Sequence, residues 1–510
     1  MNTDVLIIGA GPTGLMMACQ LTRFGIPFRI IDKQADRSKE SRAFAIQAKS
    51  MEIFQNLGIA SEFIEKEIAI KEVSFYVHGK SKFHLNFKNI DAKGTPFPSV
   101  FFLPQSATEE ILIDFLTKKN VSIERQTELL SFSEVNDRVE AEIKNNVTGL
   151  NEKITCQYIV GCDGSHSVVR EVLGTPFVGA SYEQEFVLAD LSVQWNLPRD
   201  TFTAFMNRKG NVLFFPLDRV NNLYRVILIG MGGSPTLQEI ETFTKNITGM
   251  DITLSNPIWI SSFYLHHRAV QQYQKGRAFI AGDAAHIHSP VGGQGMNTGF
   301  QDVTNLAWKL AFVLKYHSPK ELIETYQTER KRIGQILVNT TDKIFGLITN
   351  KNFIVSTLRL YVMPFVMSFL TKSVKFNQRL FHFISQLGVR YHDNPFIEGP
   401  DAGRRAPDAP VNSTTLFELF RKKPVNILIF YDKTNPEFES KIQEIEKINP
   451  DIIAVHSFIK SPETSLIFTR YGMKSSGVCL VRPDGYIGFR SFENPIDSLL
   501  IYLKALFLTE

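Results

Sequence analysis

The chain has 510 residues, which is too long for one ordinary hydrophobic core and predicts two or three domains. Hydrophobic residues make up 44% and charged residues 21% of the chain, as is typical of a soluble globular protein. The net charge of +4 is spread without a dense block of lysine and arginine, and this disfavours nucleic acid as a partner.

Cysteine usage and apolar patterning indicate a cytoplasmic protein. The four cysteines lie in apolar stretches without a CxxC pair, which predicts buried free thiols in a reducing compartment. No basic region followed by a cleavable apolar segment opens the chain, so we expect no secretion. The stretch from Leu360 to Thr371 is apolar but shorter than the roughly 20 residues that span a bilayer. We expect a packed helix pair there and no membrane span, with an interfacial anchor as the open alternative.

A glycine-rich turn follows the first apolar segment. Val5 to Ile8 is a continuous apolar run, which predicts a strand buried on both faces, and the letters GAGPTG come straight after it. Gly9 permits a tight turn, Gly11 lets the backbone approach a pyrophosphate, and Gly14 allows the next helix to pack closely on the strand. The positive end of that helix would meet the phosphate charge.

A second strand and an acid complete this pattern. The apolar run Phe28 to Ile31 ends at Asp32, with Lys33 beside it. An acid about twenty residues after the glycines is the residue that holds a ribose hydroxyl in dinucleotide-binding folds. Strand, turn, helix, strand and acid in this order therefore predict a dinucleotide site.

Another polar motif follows a strand in the middle of the chain. Tyr158 to Cys162 is a short apolar strand, and Asp163 and a glycine come directly after it. Ser167 and Arg170 lie three residues apart at the start of a helix. These residues would bind a diphosphate or a second nucleotide, or only cap the helix and pair locally, and both interpretations stay open.

The third motif begins at Gly282 and Asp283 and continues through Pro290 to the glycine-rich loop from Gly292 to Asn297. FAD is long enough to link this segment to the first glycine turn. The glycines would let backbone amides approach the pyrimidine edge of a flavin. A helix expected near Gly299 to Leu314 would point its positive end at the same edge, where reduced flavin is anionic.

The three motifs together resemble those of the FAD-dependent aromatic hydroxylases, the class A flavoprotein monooxygenases. The branch of phenol hydroxylases and of polyketide and antibiotic hydroxylases is the most similar one, and the likeness extends to the segment from Leu480 to Tyr486. The resemblance covers nearly the whole chain. It implies FAD as cofactor and NADPH or NADH as co-substrate.

The predicted fold class is α/β and α+β, with interleaved domains. A Rossmann-like FAD-binding domain of the aromatic hydroxylase type would alternate with a β-sheet substrate domain, and a thioredoxin-like domain would follow. The predicted boundaries are 1–72, 100–175 and 270–344 for the FAD-binding domain, 73–99 and 176–269 for the substrate domain, 345–400 for a helical segment and linker, and 401–510 for the C-terminal domain.

The resemblance also implies roles for individual residues. Asp283 would bind ribose or ribityl hydroxyls, Arg42 would reach the pyrophosphate side, and Gln105 would contact the flavin chain. Arg42, Pro290 and Gly295 are the expected catalytic residues. The predicted cofactor set is Gly9, Gly11, Pro12, Thr13, Gly14, Asp32, Lys33, Arg42, Gln105, Asp163, Arg170, Gly282, Asp283, Pro290, Gly293, Gln294, Gly295, Met296 and Asn297.

The resemblance implies a reaction in which NAD(P)H reduces FAD, oxygen adds at the flavin C4a position, and one oxygen atom passes to a phenolic or polycyclic aromatic molecule, with an antibiotic as one option. Phenol hydroxylases place a base where this chain has Phe44. Either the substrate is already activated, or another residue acts, with Tyr224, Arg225, Tyr264 and His266 as candidates. The predicted substrate pocket is Phe205, Phe214, Phe215, Tyr224 and Arg225, with sheet core as the alternative for each aromatic residue.

Other functions stay open at this point. A flavin-dependent reductase or dehydrogenase that does not use oxygen fits the same motifs, and so does a catalytically silent flavoprotein that only binds a ligand. We predict no metal site, because His286 and His288 belong to the flavin motif and no further ligand spacing completes a site. A homodimer is left open.

Overall fold

The computed structural model describes residues 2–37, 43–70, 72–86, 92, 94–218, 221–289, 292–350, 352–432 and 436–507. Within these ranges the chain forms two large sheets, a small C-terminal sheet and the helices that cover them.

The first third of the chain alternates short helices with strands. Its strands are β1 Asn2–Ile8, β2 Phe28–Ile31, β3 Ala45–Ile46, β4 Ile68–Ile70, β5 Glu72–Val77, β6 Lys80–Asn86, β7 Val100–Phe102, β8 Thr127–Val135, β9 Arg138–Asn145 and β10 Asn151–Gly161. Its helices are α1 Pro12–Phe24, α2 Ala48–Leu57, α3 Ala60–Lys66, α4 Gln105–Lys118 and α5 Val168–Leu173, with a 3-10 turn at Gly164–His166.

The middle third contains long strands followed by two long helices. The strands are β11 Phe177–Gln194, β12 Thr201–Met206, β13 Asn211–Asp218, β14 Leu223–Ile229, β15 Thr253–Val270, β16 Gln274–Lys275, β17 Ala278–Ile280 and β18 His286–Ile287. The helices are α6 Leu237–Thr248, α7 Gly295–Lys315 and α8 Glu321–Thr349, with a 3-10 turn at Gly282–Ala284.

The last third is helical first and then mixed. Its helices are α9 Phe353–Thr357, α10 Met363–Leu370, α11 Val374–Ile384, α12 Leu416–Phe420, α13 Pro436–Ile448, α14 Ser465–Arg470 and α15 Pro495–Phe507, and a π-helical stretch, Leu358–Val362, joins α9 to α10. Its strands are β19 Pro410–Val411, β20 Thr414–Thr415, β21 Val425–Tyr431, β22 Ile453–Ile459, β23 Gly477–Val481 and β24 Ile487–Ser491.

A parallel sheet brings the three sequence motifs together. β17, β10, β1 and β2 lie side by side in this order and run parallel. Each motif starts where one of these strands ends: the glycine turn after β1, the Asp163 segment after β10 and the Gly282 turn after β17. The carboxyl ends of neighbouring parallel strands form the crevice in which such sheets bind ligands.

The second sheet has eight strands in the described part of the chain, in the order β18-β15-β11-β14-β13-β12-β5-β6. Its two faces are covered differently. One face packs on α6 through a cluster that includes Phe205, Phe214, Tyr224 and Ile240. On the other face, Phe186 and Ile227 pack with Phe345 of α8. The strands from segments 73–99 and 176–269 all lie in this sheet, but the predicted domain boundaries stay a prediction.

The C-terminal sheet has the order β22-β21-β23-β24, with β21 and β22 parallel and the other neighbouring pairs antiparallel. This order is compatible with the predicted thioredoxin-like domain. The β23–β24 turn is joined to α7 and α8 by buried charges: Arg482 donates to Glu329 of α8 at 2.6 Å and 3.0 Å, and Lys309 of α7 donates to Glu329 at 2.8 Å.

The apolar stretch around residue 360 is helical, as expected, but it is packed on one side only. Among the described residues, Phe353–Leu370 is the one helical segment long and apolar enough to cross a membrane by length and composition, and 22% of it is buried. The expected packing is therefore present on the inner side of this segment, and the outer side is exposed. Phe365 and Phe369 are exposed.

Candidate active site

The glycine turn after β1 has the geometry that a pyrophosphate requires. A Cβ on Gly14 would lie 1.8 Å from the carbonyl oxygen of Gly9, and one on Gly9 would lie 2.5 Å from the carbonyl oxygen of Cys162. A Cβ on Gly11 would meet no described atom within 4 Å. The first and third glycines are thus required by packing, whereas the second faces open space at the uncapped start of α1.

Asp32 lies at the end of β2, as predicted. Its Oδ2 accepts a hydrogen bond from the Ala10 backbone N–H at 2.6 Å, and its Oδ1 accepts one from Gln34 N–H at 2.8 Å. Lys33 beside it is exposed. The Asp32 carboxylate therefore stabilises the glycine turn. It lies at the strand end where the acid of dinucleotide-binding folds binds a ribose.

Thr13 is the point at which the first and third motifs meet. A Cβ on Gly282 would lie 2.5 Å from Thr13 Oγ1, and a Cβ on Gly299 of α7 would also lie 2.5 Å from it. Gly282 has a φ of +60°, which favours glycine independently. The Thr13 side chain thus fits between two glycines that lie more than half the chain length away in the sequence.

A buried carboxylate holds the Gly282 turn on α7. Asp302 Oδ2 accepts a hydrogen bond from the Gly282 N–H at 3.0 Å and lies 2.8 Å from His286 Nε2. Arg330 Nε of α8 donates to Asp302 Oδ1 at 2.7 Å. Burial opposes ionisation of Asp302, but the charges of Arg330 and His286 hold its pKa below the ordinary value. Asp283 itself is exposed at the crevice.

The loop before α7 is held by Asn297. Its amide nitrogen donates to the carbonyls of Ala45 and Gly293 at 2.8 Å each, and its Oδ1 accepts from Gln47 N–H at 2.8 Å. Gly293 has a φ of +59°, and a Cβ there would lie 2.4 Å from that of Ala45. Gln294 and Met296 are buried in the same turn.

This loop leads directly into α7. The helix begins at Gly295, four residues before the predicted start, and no described side chain caps it. Its backbone N–H groups and positive end therefore stay available to an anionic ring edge. Pro290 and Arg42 lie outside the described residues, and their predicted roles remain predictions.

Arg170 connects the second motif to the third. Its guanidinium donates to the carbonyls of Ala284 and Ser165 at 3.1 Å and 2.8 Å, and it lies over the Phe177 ring at 4.1 Å. Asp163 Oδ2 accepts from the Val169 N–H, and burial raises the pKa of Asp163. These contacts favour the local pairing interpretation, since both side chains stabilise the turns around the crevice.

Gln105 lies at the start of α4. Its amide nitrogen donates to the buried Glu109 at 2.8 Å, and its backbone N–H donates to the carbonyl of Ala43 at 3.0 Å. The side chain is partly exposed beside the segment that leads to Phe44.

Four side chains on the second sheet form a row across β13, β14, β11 and β15. Phe215 is opposite Arg225, Arg225 opposite Asp190, and Asp190 opposite Trp259. Directly opposed residues of antiparallel strands project on the same face. The row is on the face that packs on Phe44, because the Phe44 ring lies 4.6 Å from Phe215 and 5.0 Å from the Arg225 guanidinium.

Arg225 is fully buried in this row and has a free donor. Its Nε and Nη2 bind Asp190 at 2.8 Å and 2.7 Å, and Trp259 Nε1 donates to the same carboxylate at 2.9 Å. Nη1 has no hydrogen-bond partner among the described residues. A buried guanidinium N–H without an acceptor is costly, so this atom is suited to a ligand oxygen.

For three residues of the predicted substrate pocket, the structure supports the alternative of a sheet core. Phe205, Phe214 and Tyr224 project from the opposite face of the sheet and form the core on α6. Side chains alternate along a strand, so neighbours such as Phe214 and Phe215 lie on different faces. Only Phe215 and Arg225 remain candidates for substrate contact.

Three of the predicted candidates for a catalytic base lie outside the row of Arg225. Burial raises the pKa of Tyr224, whose hydroxyl accepts from Trp195 at 3.3 Å on the α6 side. Tyr264 is exposed. His266 Nδ1 lies 2.7 Å from Ser181 Oγ, and burial lowers the pKa of its ring. None of these three belongs to the row that contains Arg225.

Sequence reasoning missed Asp190 and Asp302. The available signal was an acid that interrupts an apolar run or is the single acid of a helix, since such an acid is rarely buried without a partner. Asp190 interrupts the run FVLADLSV of β11, and Asp302 is the single acid of α7.

Known proteins with similar sequences and structures agree with this geometry. The model of the FAD-binding domain family matches residues 2–341. The 6-methylpretetramide 4-monooxygenase of Streptomyces rimosus is 30% identical over 99% of this chain and 94% of its own length, and the pentachlorophenol 4-monooxygenase of Sphingobium chlorophenolicum is 29% identical over 99% and 97%. The structure of the anhydrotetracycline hydroxylase from Streptomyces rimosus matches 99% of each chain with a TM-score of 0.80 at 28% identity.

The chain belongs to the FAD-dependent aromatic hydroxylases, the class A flavoprotein monooxygenases. It is an FAD-dependent monooxygenase, and NAD(P)H is the co-substrate typical of the family. The crevice fits the cofactor, because open space faces Gly11, α1 and α7 begin without a side-chain cap among the described residues, and both turns contain glycines.

The Gly11→Ala variant tests the pyrophosphate position. The added methyl group meets no described protein atom, so we expect unfolding of the apoprotein to change by less than about 1 kcal/mol. It would project into the pyrophosphate space, and we expect FAD to bind at least tenfold more weakly (~1.4 kcal/mol). Fluorescence titration of the apoprotein with FAD measures this. The control is Gly346→Ala in α8, another glycine with open space, and equal FAD affinity in all three proteins would contradict the placement.

His288 gives a pH prediction. Its Nδ1 lies 2.6 Å from the Ser289 carbonyl, and burial, together with the charge of His286, lowers its pKa to about 4. The unfolded chain takes up this proton near pH 6.5, so the native state loses stability as the pH falls from 6.5 towards 4. Between pH 7 and pH 5 we expect a loss of about 1–2 kcal/mol in unfolding free energy that His288→Gln removes.

Urea unfolding at the two pH values measures this difference. The exposed His392 is the control, and His392→Gln should retain the full pH dependence. An identical pH dependence in His288→Gln and the parent protein would show that His288 is not held neutral.

Proposed function

We propose that this monooxygenase hydroxylates a polycyclic phenol or enol of the polyketide type. The ring would lie against the aromatic face of the eight-stranded sheet, and its ionised oxygen would accept a hydrogen bond from Arg225. The observation that carries the proposal is the buried Arg225 guanidinium, which is bound by Asp190 on two nitrogens and has Nη1 without an acceptor among the described residues.

The relatives support this substrate class. Their names refer to 6-methylpretetramide, pentachlorophenol and anhydrotetracycline. The first and third names denote tetracycline-type polycyclic compounds, and the second denotes a phenol. A phenolate or enolate oxygen is the feature that would suit a fixed guanidinium donor on an aromatic surface.

The row of four side chains would orient the substrate without acting as a base. The guanidinium stays protonated, so it stabilises an anionic oxygen instead of removing a proton. Asp190 and Trp259 fix its plane. Binding the ionised form would lower the pKa of the substrate hydroxyl, which explains how the enzyme can work with Phe44 where related phenol hydroxylases have a base.

Phe44 would exclude water from the reacting region. Its ring lies against Phe102, Phe215 and the Arg225 guanidinium, and Arg225 is fully buried beneath it. A shift of the Phe44 ring would open a path for a ligand oxygen to Nη1. The bound FAD supplies reduction by NAD(P)H and activation of oxygen, and a dry aromatic surface protects that chemistry from water.

We also propose that the enzyme works in the cytoplasm. All four cysteines are free and buried, as is typical of a reducing compartment. A homodimer stays a prediction.

The Arg225→Lys variant tests the substrate contact. Lysine keeps the positive charge but loses the planar fork that binds Asp190 and presents Nη1. We expect unchanged FAD content and a fall in kcat/KM for phenolic substrates of about tenfold to a hundredfold (~1.4–2.7 kcal/mol), with NAD(P)H oxidation uncoupled from hydroxylation. Oxidation of NAD(P)H is measured with a panel of polycyclic phenols.

The exposed Arg208 gives a matched control, because it lies outside the row, and Arg208→Lys should behave like the parent enzyme. Full, coupled turnover of phenolic substrates by Arg225→Lys would rule out the proposed contact. Product formation without oxygen would instead favour a reductase or dehydrogenase.

A further inference from the structure

The helical segment Phe353–Leu370 carries an apolar surface that faces away from the protein. Phe365 is 76% exposed and Phe369 is 73% exposed. From Leu358 onwards, the most exposed aromatic and leucine side chains are spaced three or four residues apart, as on one side of a helix. We call this surface the outer ridge, and it consists of Phe353, Leu358, Tyr361, Val362, Phe365 and Phe369.

The inner side of the same segment is fixed to the protein. Leu360 packs with Val77 of β5 and Met206 of β12, and Pro364 is also buried. The Arg359 guanidinium donates to the backbone carbonyls at the end of α8, including those of Leu347 and Asn350. The ridge is therefore held in place by its inner contacts, and its apolar side chains project outwards.

Along the sequence, the charged residues on either side of the ridge have one sign. Residues 343–392 contain seven lysines and arginines and no aspartate or glutamate, although the chain as a whole is nearly balanced, with 56 basic and 52 acidic residues. These residues are Lys343, Lys351, Arg359, Lys372, Lys375, Arg379 and Arg390. The Arg359 side chain is buried.

We propose that the outer ridge binds the surface of an anionic lipid bilayer. Exposed aromatic and aliphatic side chains enter the boundary between headgroups and acyl chains, to a depth of about 5–10 Å, while flanking lysines meet anionic headgroups. Lys372 and Lys375 directly follow the ridge and are exposed. Each such cation strengthens binding by about fivefold at low salt.

The segment lies on the membrane and does not span it. Its inner side is occupied by contacts with β5 and β12, and Arg359 lies in the middle of it. A spanning helix would have to break these contacts and carry that charge into hydrocarbon.

The charge pattern also disfavours a second copy of this chain as the occupant. A two-fold contact places the same surface on both subunits, so the basic flanks of two ridges would face each other. An anionic bilayer complements both properties of the surface, the apolar ridge and its basic flanks. The inference does not depend on the substrate proposed above.

Vesicle sedimentation with the FAD-loaded enzyme tests this proposal. The probes are phosphatidylcholine vesicles with and without about 30% phosphatidylglycerol. We expect binding to the anionic vesicles that is at least tenfold tighter than to the neutral ones and that weakens at roughly 0.5 M NaCl. Phe365→Ser/Phe369→Ser and Lys372→Glu/Lys375→Glu should each weaken it at least tenfold.

Two double variants outside the ridge serve as controls. Val147 and Leu150 are exposed to similar extents, 67% and 70%, so Val147→Ser/Leu150→Ser matches the loss of apolar surface. Lys118→Glu/Lys119→Glu matches the charge change on another exposed lysine pair. We expect both controls to bind like the parent protein, and all variants to retain FAD and basal NAD(P)H oxidation.

Several outcomes would overturn the proposal. One is a parent protein that does not sediment with anionic vesicles. Another is equal weakening by the ridge variants and their controls. A third is a dimer that Phe365→Ser/Phe369→Ser converts to a monomer in light scattering without any vesicle binding, which would assign the ridge to a second copy of the chain.

Discussion

The Asp302 carboxylate is the interaction on which the cofactor site depends. It accepts the backbone N–H of Gly282, lies beside His286 and is bound by Arg330, so a single side chain of α7 joins the turn after β17 to α8. Arg330 also donates to Tyr391 beyond α8. Removing one partner of such a buried pair costs about 3–5 kcal/mol, because the remaining charge stays in the core. The start of α7 and the turn it faces are therefore fixed relative to each other before any cofactor binds.

The parallel sheet is the second constraint, because it brings together three motifs that are far apart in the sequence. Each motif begins where a strand ends, and β17, β10 and β1 are neighbours. Thr13 then fits between Gly282 and Gly299, and Arg170 reaches the carbonyl of Ala284. Across the crevice, the alternation of side chains along β13 and β14 separates two functions of the second sheet. One face forms a core on α6, and the other presents Phe215 and Arg225 below Phe44.

The glycine turns can be predicted from the sequence, and the side of the sheet on which a residue projects cannot, for a physical reason. Gly14 is specified locally, because a Cβ there would collide with the carbonyl oxygen of Gly9 in the same turn. The face on which a strand residue projects depends instead on which side of the sheet α6 covers, and nothing near Phe214 or Phe215 encodes that. The pairing of Arg225 with Asp190 depends on strand register in the same way. The apolar character of the segment around residue 360 is evident in the sequence, but its exposure is decided by tertiary packing.

Isotope labelling tests the proposed reaction most directly. Turnover of a polycyclic phenol under ¹⁸O₂ with NAD(P)H, followed by mass spectrometry, measures whether the enzyme transfers oxygen from O₂ to the aromatic ring. We predict one labelled oxygen atom in the hydroxylated product and one NAD(P)H consumed for each product molecule. An unlabelled product, or NAD(P)H oxidation that yields only hydrogen peroxide with every phenol tested, would contradict the proposed reaction.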